Sequence, residues 1–127
     1  MPLDKFADTG NRADGFVMPP VIFDSEIERV DKLLAKATNS APKYAVVSNL
    51  GQIGFVKKHL PDIQMIADFR FNIGNDETVA FFEELGFESV IASAELTLPQ
   101  LRDLGGSVGA IVYGRIPLMM LEKCVIK

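Results

Sequence analysis

The sequence predicts an α/β domain of parallel strands, on the order of five, joined by about four helices. Three observations predict it: short runs apolar in successive positions, amphipathic segments with start and stop signals alternating with them, and little chain spent on connections. Strands apolar on both faces and alternating with helices imply a parallel sheet covered by helices. Right-handed crossovers then leave two architectures, part of a (β/α)₈ barrel or an open doubly wound sheet.

Residues 1–14 are polar and mixed in charge and read as a flexible lead-in to a domain over residues 15–127. The run GFVMPPVIF (15–23) is apolar, but Pro19 and Pro20 remove ladder donors, so it is expected to be an edge or irregular strand. Ser25 and Glu28 have capping-box spacing, and Ile27, Val30, Leu33, Leu34 and Ala37 share one helical face. YAVVSN (44–49) reads as the second strand, LGQIGFVKKHLP as a glycine-weakened helix ending before Pro61, and IQMIADF (63–69) as the third strand. Asn75 can cap DETVAFFEELG, with Val79, Phe82 and Leu85 facing the core and Gly86 just past the end. ESVIAS (88–93) is the fourth strand. Thr97 and Gln100 start the last helix, with Pro99 tolerated in its first turn. GAIVYG (109–114) closes the series, with Ala110 to Tyr113 expected to be buried.

Composition narrows the function. The chain has 127 residues, enough for one domain, with 48% hydrophobic residues and a positive mean hydropathy. No apolar run approaches the ~20 residues of a membrane span, and the N-terminus is neither a signal nor a transit peptide. A cytoplasmic protein without a membrane partner is expected. The net charge of −4 comes without a basic stripe, which argues against non-specific nucleic-acid binding but leaves room for an RNA held by a few arginines. One cysteine excludes an internal disulfide. The one histidine, His59, ends a helix as a cation there would, so a catalytic set built on histidine is not expected. No strand is followed by GxGxxG or GxxxxGK[ST], which removes a dinucleotide site and a P-loop.

Ligands bind beyond the C-terminal ends of parallel strands. The strand exits carry, in order, Asp24; Ser48 and Asn49; Asp68, Arg70 and Asn72; Ser93 and Glu95; then Arg115 and later Cys124. Bland roles compete with functional ones. Asp24 and Ser25 can start a helix, Asn49 and Asn75 can cap, Met119 and Met120 can fill a core or an interface, and Cys124 can be a small hydrophobe. Arg115 either clamps an anionic group of a substrate or pairs with Glu95 or Asp68. Glu95 stands ahead of the Thr97 cap and is not needed to start that helix. It is the candidate general acid or base, provided that burial beside Leu96 and Leu98 tunes it.

The segments ADFRFNIGN, SAELTLPQL and VYGRIPLMMLEKCVIK resemble, in order and spacing, the peptidase U32 family of collagenase-like proteases, and the likeness runs from Gly15 to Lys127. The resemblance implies the C-terminal part of a TIM-barrel-like domain, about five strands of it. It implies a peptidase fragment or small subunit, for which the strand exits put forward Asp68, Arg70, Asn72, Asn49 and Arg115 as substrate-binding residues and Glu95 as the catalytic one. The alternatives are a non-catalytic assembly module, or a subunit of a U32-like hydroxylase acting on RNA or a quinone precursor. In some relatives the cysteine at the position of Cys124 is one of four holding an iron–sulfur cluster. With three absent, no cofactor is expected within this chain, and a cluster or divalent metal only in a completed assembly. A partial barrel exposes edges and an apolar face, so the expected partner is a second copy or a separately encoded N-terminal barrel subunit.

Overall fold

The computed structural model describes residues 1–9 and 13–117. Its centre is a five-stranded, all-parallel sheet whose spatial order is the chain order, β1 (Gly15–Val17), β2 (Tyr44–Val47), β3 (Gln64–Ala67), β4 (Phe87–Ile91) and β5 (Val108–Gly109). The helices are α1 (Leu3–Thr9), α2 (Ile27–Ala37), α3 (Gly51–His59), α4 (Asp76–Glu84) and α5 (Leu98–Asp103). The sheet is open. When neighbouring strands follow one another in sequence, right-handed crossovers put every connecting helix on the same side. Burial agrees. Phe16, Met18, Ala45, Val47, Met65, Ala67 and Val90 are sealed in one core with Leu34 of α2, Val56 of α3, and Val79 and Phe82 of α4. The alternate residues Val17, Val46, Ile66 and Ile91 are half-buried on the opposite face and belong to no part of that core.

Most start and stop signals act as the sequence predicts. Asn75 accepts from the Thr78 N–H at 2.8 Å to cap α4, and Gly86 ends that helix at φ 86°. Gln100 accepts from the Thr97 N–H at 2.9 Å at the head of α5. The Ser25–Glu28 box does not form. A short 3₁₀ turn (Asp24–Glu26) takes its place, with the Glu26 carboxylate accepting from the Phe23 N–H at 3.3 Å. Gly15 is dictated by close approach, because a Cβ there would lie 2.2 Å from the Tyr44 carbonyl oxygen on the neighbouring strand. At the β3–β4 pair a bulge sets Glu88 outside the ladder, with Met65 opposite Phe87 and Ile66 opposite Ser89.

Two expectations are corrected. The lead-in contains α1, which sinks Leu3 and Phe6 into the core; Phe6 stands 5.7 Å from the Phe16 ring, and Met1 accepts from the Val17 N–H at 2.7 Å along the edge of β1. Its polar letters hid an amphipathic turn, one apolar stripe two residues wide. The second correction is β5, which has two residues only. The segment after it is exposed, Val112 by 95% and Tyr113 by 97%. The cause lies in its neighbour: β4 ends where the Ser93 N–H turns to the Ile73 carbonyl, so residues 110–113 have no ladder left to join.

Candidate functional site

The parallel strands deliver their last residues to one end of the sheet, and a hydrogen-bonded chain ties the first three exits together. Asp68, one residue past β3, is 5% exposed. Its Oδ1 accepts from the Phe69 N–H at 3.0 Å, and its Oδ2 accepts from the Ser48 hydroxyl at 3.0 Å and from Arg70 Nη1. Ser48, just past β2, gives its own N–H to Gln52 Oε1 at 2.9 Å. Gln52 is 1% exposed and donates through Nε2 to the Pro19 carbonyl past β1. Asn49 braces the same loop by donating to the Pro20 carbonyl at 3.3 Å. No buried side-chain nitrogen or oxygen among the described residues lacks a partner. Hydrogen bonds to a carboxylate contribute about 1.5–3 kcal/mol each, so this network fixes the mouths of β1, β2 and β3 relative to one another.

Beyond the network lies an open hollow of about 430 Å³, lined by Phe69, Arg70, Asn72, Ser93, Ala94, Glu95 and Ile116. The Arg70 guanidinium rests over the Phe69 ring, 4.6 Å from its centroid, and its side chain keeps 29% of its surface in solvent. Asn72 adopts a left-handed backbone, φ 54°, at the end of a 3₁₀ turn (Phe69–Phe71). That conformation suits asparagine better than most side chains. The Ser93 hydroxyl donates to Asn72 Oδ1 and accepts from the Glu95 N–H at 3.3 Å. With Oδ1 engaged, the Asn72 Nδ2 is the amide's remaining polar end. The rim thus offers donors from Arg70 and Asn72 and a carboxylate from Glu95.

The predicted residues fall into distinct places. Arg70, Asn72 and Glu95 meet at the hollow, Asp68 lies beneath it, and Asn49 belongs to the brace over β1 and β2. Asp24 is exposed in its 3₁₀ turn, away from these groups. Asp68 pairs with Arg70 rather than with Arg115, which is exposed beside Ile116. The burial on which the acid–base role of Glu95 was founded is absent: Glu95 is exposed and Leu98 is 81% exposed. His59 is at the helix layer, with Nε2 2.8 Å from Asp31 Oδ1. Lys58 donates to the same oxygen, and these two partners, Lys58 first, hold the Asp31 carboxyl below the usual carboxylate range. Cys124, Met119 and Met120 lie outside the described residues.

Sequence reasoning missed Gln52. Its signal was a polar amide one helical turn before Val56, on the face α3 turns to the core. Ser48 and Ser93 were seen at strand exits but not assigned a part. As for a metal or cluster, no group of three or more His, Cys, Asp or Glu among the described residues could hold an ion. An iron–sulfur cluster takes about four thiolates, and the chain has one cysteine. The donor set of this chain does not fit the group.

Comparison with known proteins adds a family. The sequence profile of peptidase family U32 matches residues 15–127. The tRNA hydroxylation protein P of Escherichia coli is 24% identical over 98 residues, 73% of this chain and 22% of that protein. Its namesake from Haemophilus influenzae is 24% identical over 108 residues, 81% of this chain and 24% of that protein. The chain therefore spans about a quarter of the length of these curated relatives. No solved structure matches it.

Proposed function

The chain belongs to peptidase family U32, and we propose that it forms one wall of a U32 assembly that hydroxylates RNA. The observation that carries the reading is the shared name of two curated relatives, aligned over 73% and 81% of this chain. The site chemistry supports it over peptide hydrolysis. The one histidine bonds Asp31 in the helix layer, and the Ser48 hydroxyl is buried against Asp68, so neither of these groups is presented at the hollow. The hollow instead offers groups that suit a single-stranded RNA base: a guanidinium over an aromatic ring and an amide, with a carboxylate at the rim.

The uncovered face of the sheet bears on how this wall works. Val17, Val46, Ile66 and Ile91 need a cover, and strands supplied by a second polypeptide, either another copy or a subunit bearing the remaining part of a barrel, would provide it and complete the pocket. Activity belongs to that assembly and not to the isolated chain.

The test is nucleoside mass spectrometry of tRNA from bacteria lacking tRNA hydroxylation protein P and expressing this chain, alone and with a candidate partner subunit. Hydroxylated nucleosides are expected to return only where sedimentation shows the chain in a complex. Peptide cleavage by that complex, with no hydroxylated nucleoside, would reverse the assignment.

A further inference from the structure

We infer that Gln52, Ser48 and Asp68 form a positioning relay whose output is Arg70, and that Arg70 with Asn72 makes the contact to ligand. The geometry divides buried from exposed members along one bonded chain. Gln52, Ser48 and Asp68 are 1%, 6% and 5% exposed, so none can reach a ligand of any size in the hollow. Arg70 is the first member of the chain with a substantial part of its side chain in solvent.

Each link has one direction. The Pro19 carbonyl accepts from Gln52 Nε2, which leaves Gln52 Oε1 to accept from the Ser48 N–H. That backbone anchor orients Ser48, whose hydroxyl donates to Asp68 Oδ2. The Phe69 N–H occupies Oδ1. The carboxylate is thereby held by two donors before it meets Arg70, and one nitrogen of the guanidinium is fixed to it while the group rests over the Phe69 ring. A guanidinium carries five N–H donors, so most remain for a ligand, presented in one orientation. This saves the ordering that a free arginine loses on binding. Ser93 does the same for Asn72 by occupying Oδ1, so the amide hydrogens are what the hollow receives.

The ligand this pair takes is one that accepts hydrogen bonds and lies flat on the guanidinium. A free anion is disfavoured, because Asp68 already neutralises Arg70 and Glu95 adds a negative charge at the rim. The identity of that ligand as RNA rests on the reading given above; the relay itself does not.

Two measurements on the full chain separate the two. The first is ligand-free: ¹⁵N spectra of the arginine side chains, with Arg70 assigned by its loss in Arg70→Lys. Resolved Nη signals are expected for Arg70 in the wild type, merging into an averaged signal in Ser48→Ala and in Asp68→Asn, and restored in Ser48→Thr. The backbone amide spectrum checks folding, and either loss variant suffices if the other does not fold. The second is fluorescence anisotropy with a labelled single-stranded RNA oligonucleotide and with inorganic phosphate as competitor. Arg70→Ala is expected to weaken RNA binding about tenfold, the loss of one charge-assisted bond. Ser48→Ala should weaken it less, and the double variant no more than Arg70→Ala alone. An averaged Arg70 signal in the wild type, or resolved signals that survive both loss variants, overturns the relay. So do multiplying effects in the double variant. Absence of RNA binding by the wild type, both alone and in the complex with the partner subunit, rejects the RNA reading and leaves the spectra to decide the relay.

Discussion

The two faces of the sheet are built from similar letters and do different work. Along β2 the side chains of Ala45 and Val47 point into the helix layer and are fully buried, while Val46 between them lies half-buried on the face without helices. β3 repeats the pattern with Met65 and Ala67 against Ile66. Apolarity on both sides is what a parallel strand shows when both sides are to be covered. The described residues supply helices for one. The difference teaches that the helix-covered face holds the fold, whereas the half-buried side chains of the other face belong to no part of that core.

Adjacent substitutions on one strand break that comparison most sharply. Val47→Asp places a carboxylate where exposure is 0% and no partner is available, and it is expected to abolish cooperative folding, a loss beyond ~4 kcal/mol. Val46→Asp, one residue away, is expected to leave the far-UV circular dichroism and the melting transition almost unchanged while abolishing any assembly seen by sedimentation. Equal losses at both positions would mean that the second face is covered within the chain. Met65→Ala against Ile66→Ala is the milder version, about 2–5 kcal/mol for the buried member and well under that for the other.

Much of this was legible in the sequence because local signals and tertiary demands agreed. Strand runs, the Asn75 cap, the Gly86 stop and the Thr97–Gln100 start all report backbone chemistry that needs no distant partner. The clustering of Arg70, Asn72 and Glu95 followed from topology, since parallel strands send their exits to one end. Three features were hidden, each for a physical reason. α1 is too short for periodicity to rise above its charged letters. The fate of residues 110–113 depends on where β4 stops, which no property of those residues encodes. Gln52 and Ser48 act through partners 33 and 20 residues away, and a single sequence does not announce such pairings.

A smaller effect sharpens the role of the edge next to the covered face. Gly15 packs its backbone against Tyr44, and a methyl group would meet that residue's carbonyl at 2.2 Å, its Cβ at 2.8 Å. Both obstacles are parts of the neighbouring strand that cannot rotate aside. Gly15→Ala is expected to push β1 off β2 and to cost about 1–3 kcal/mol in urea unfolding, as overpacking does. Because α1 and the Met1 contact ride on β1, the loss should appear in the protection of the Val17 amide before that of β3.

The smallest effect lies on the outer surface of the helix layer, where Asp31 of α2 meets Lys58 and His59 of α3 at 2.8 Å each. Lys58 foremost, then His59, holds the Asp31 carboxyl of the folded chain below the usual carboxylate range. A carboxyl whose folded pKa is depressed binds its proton more readily when unfolded. Its contribution to stability is therefore fully present above about pH 4, the unfolded range, and fades as pH falls through the lower folded value. The clasp is solvent-exposed and screened, so the change is small and should shrink further in salt. Asp31→Asn is expected to flatten the acid limb of the stability curve below about pH 4 while leaving the neutral melting temperature within a few degrees. Among the described residues the open face has no such pair, so acid should loosen α2 from α3 without altering the exposure of Val46 or Ile66. Amide exchange at low pH that opened β2 before the α2–α3 contact would place the weak seam on the wrong side of the sheet.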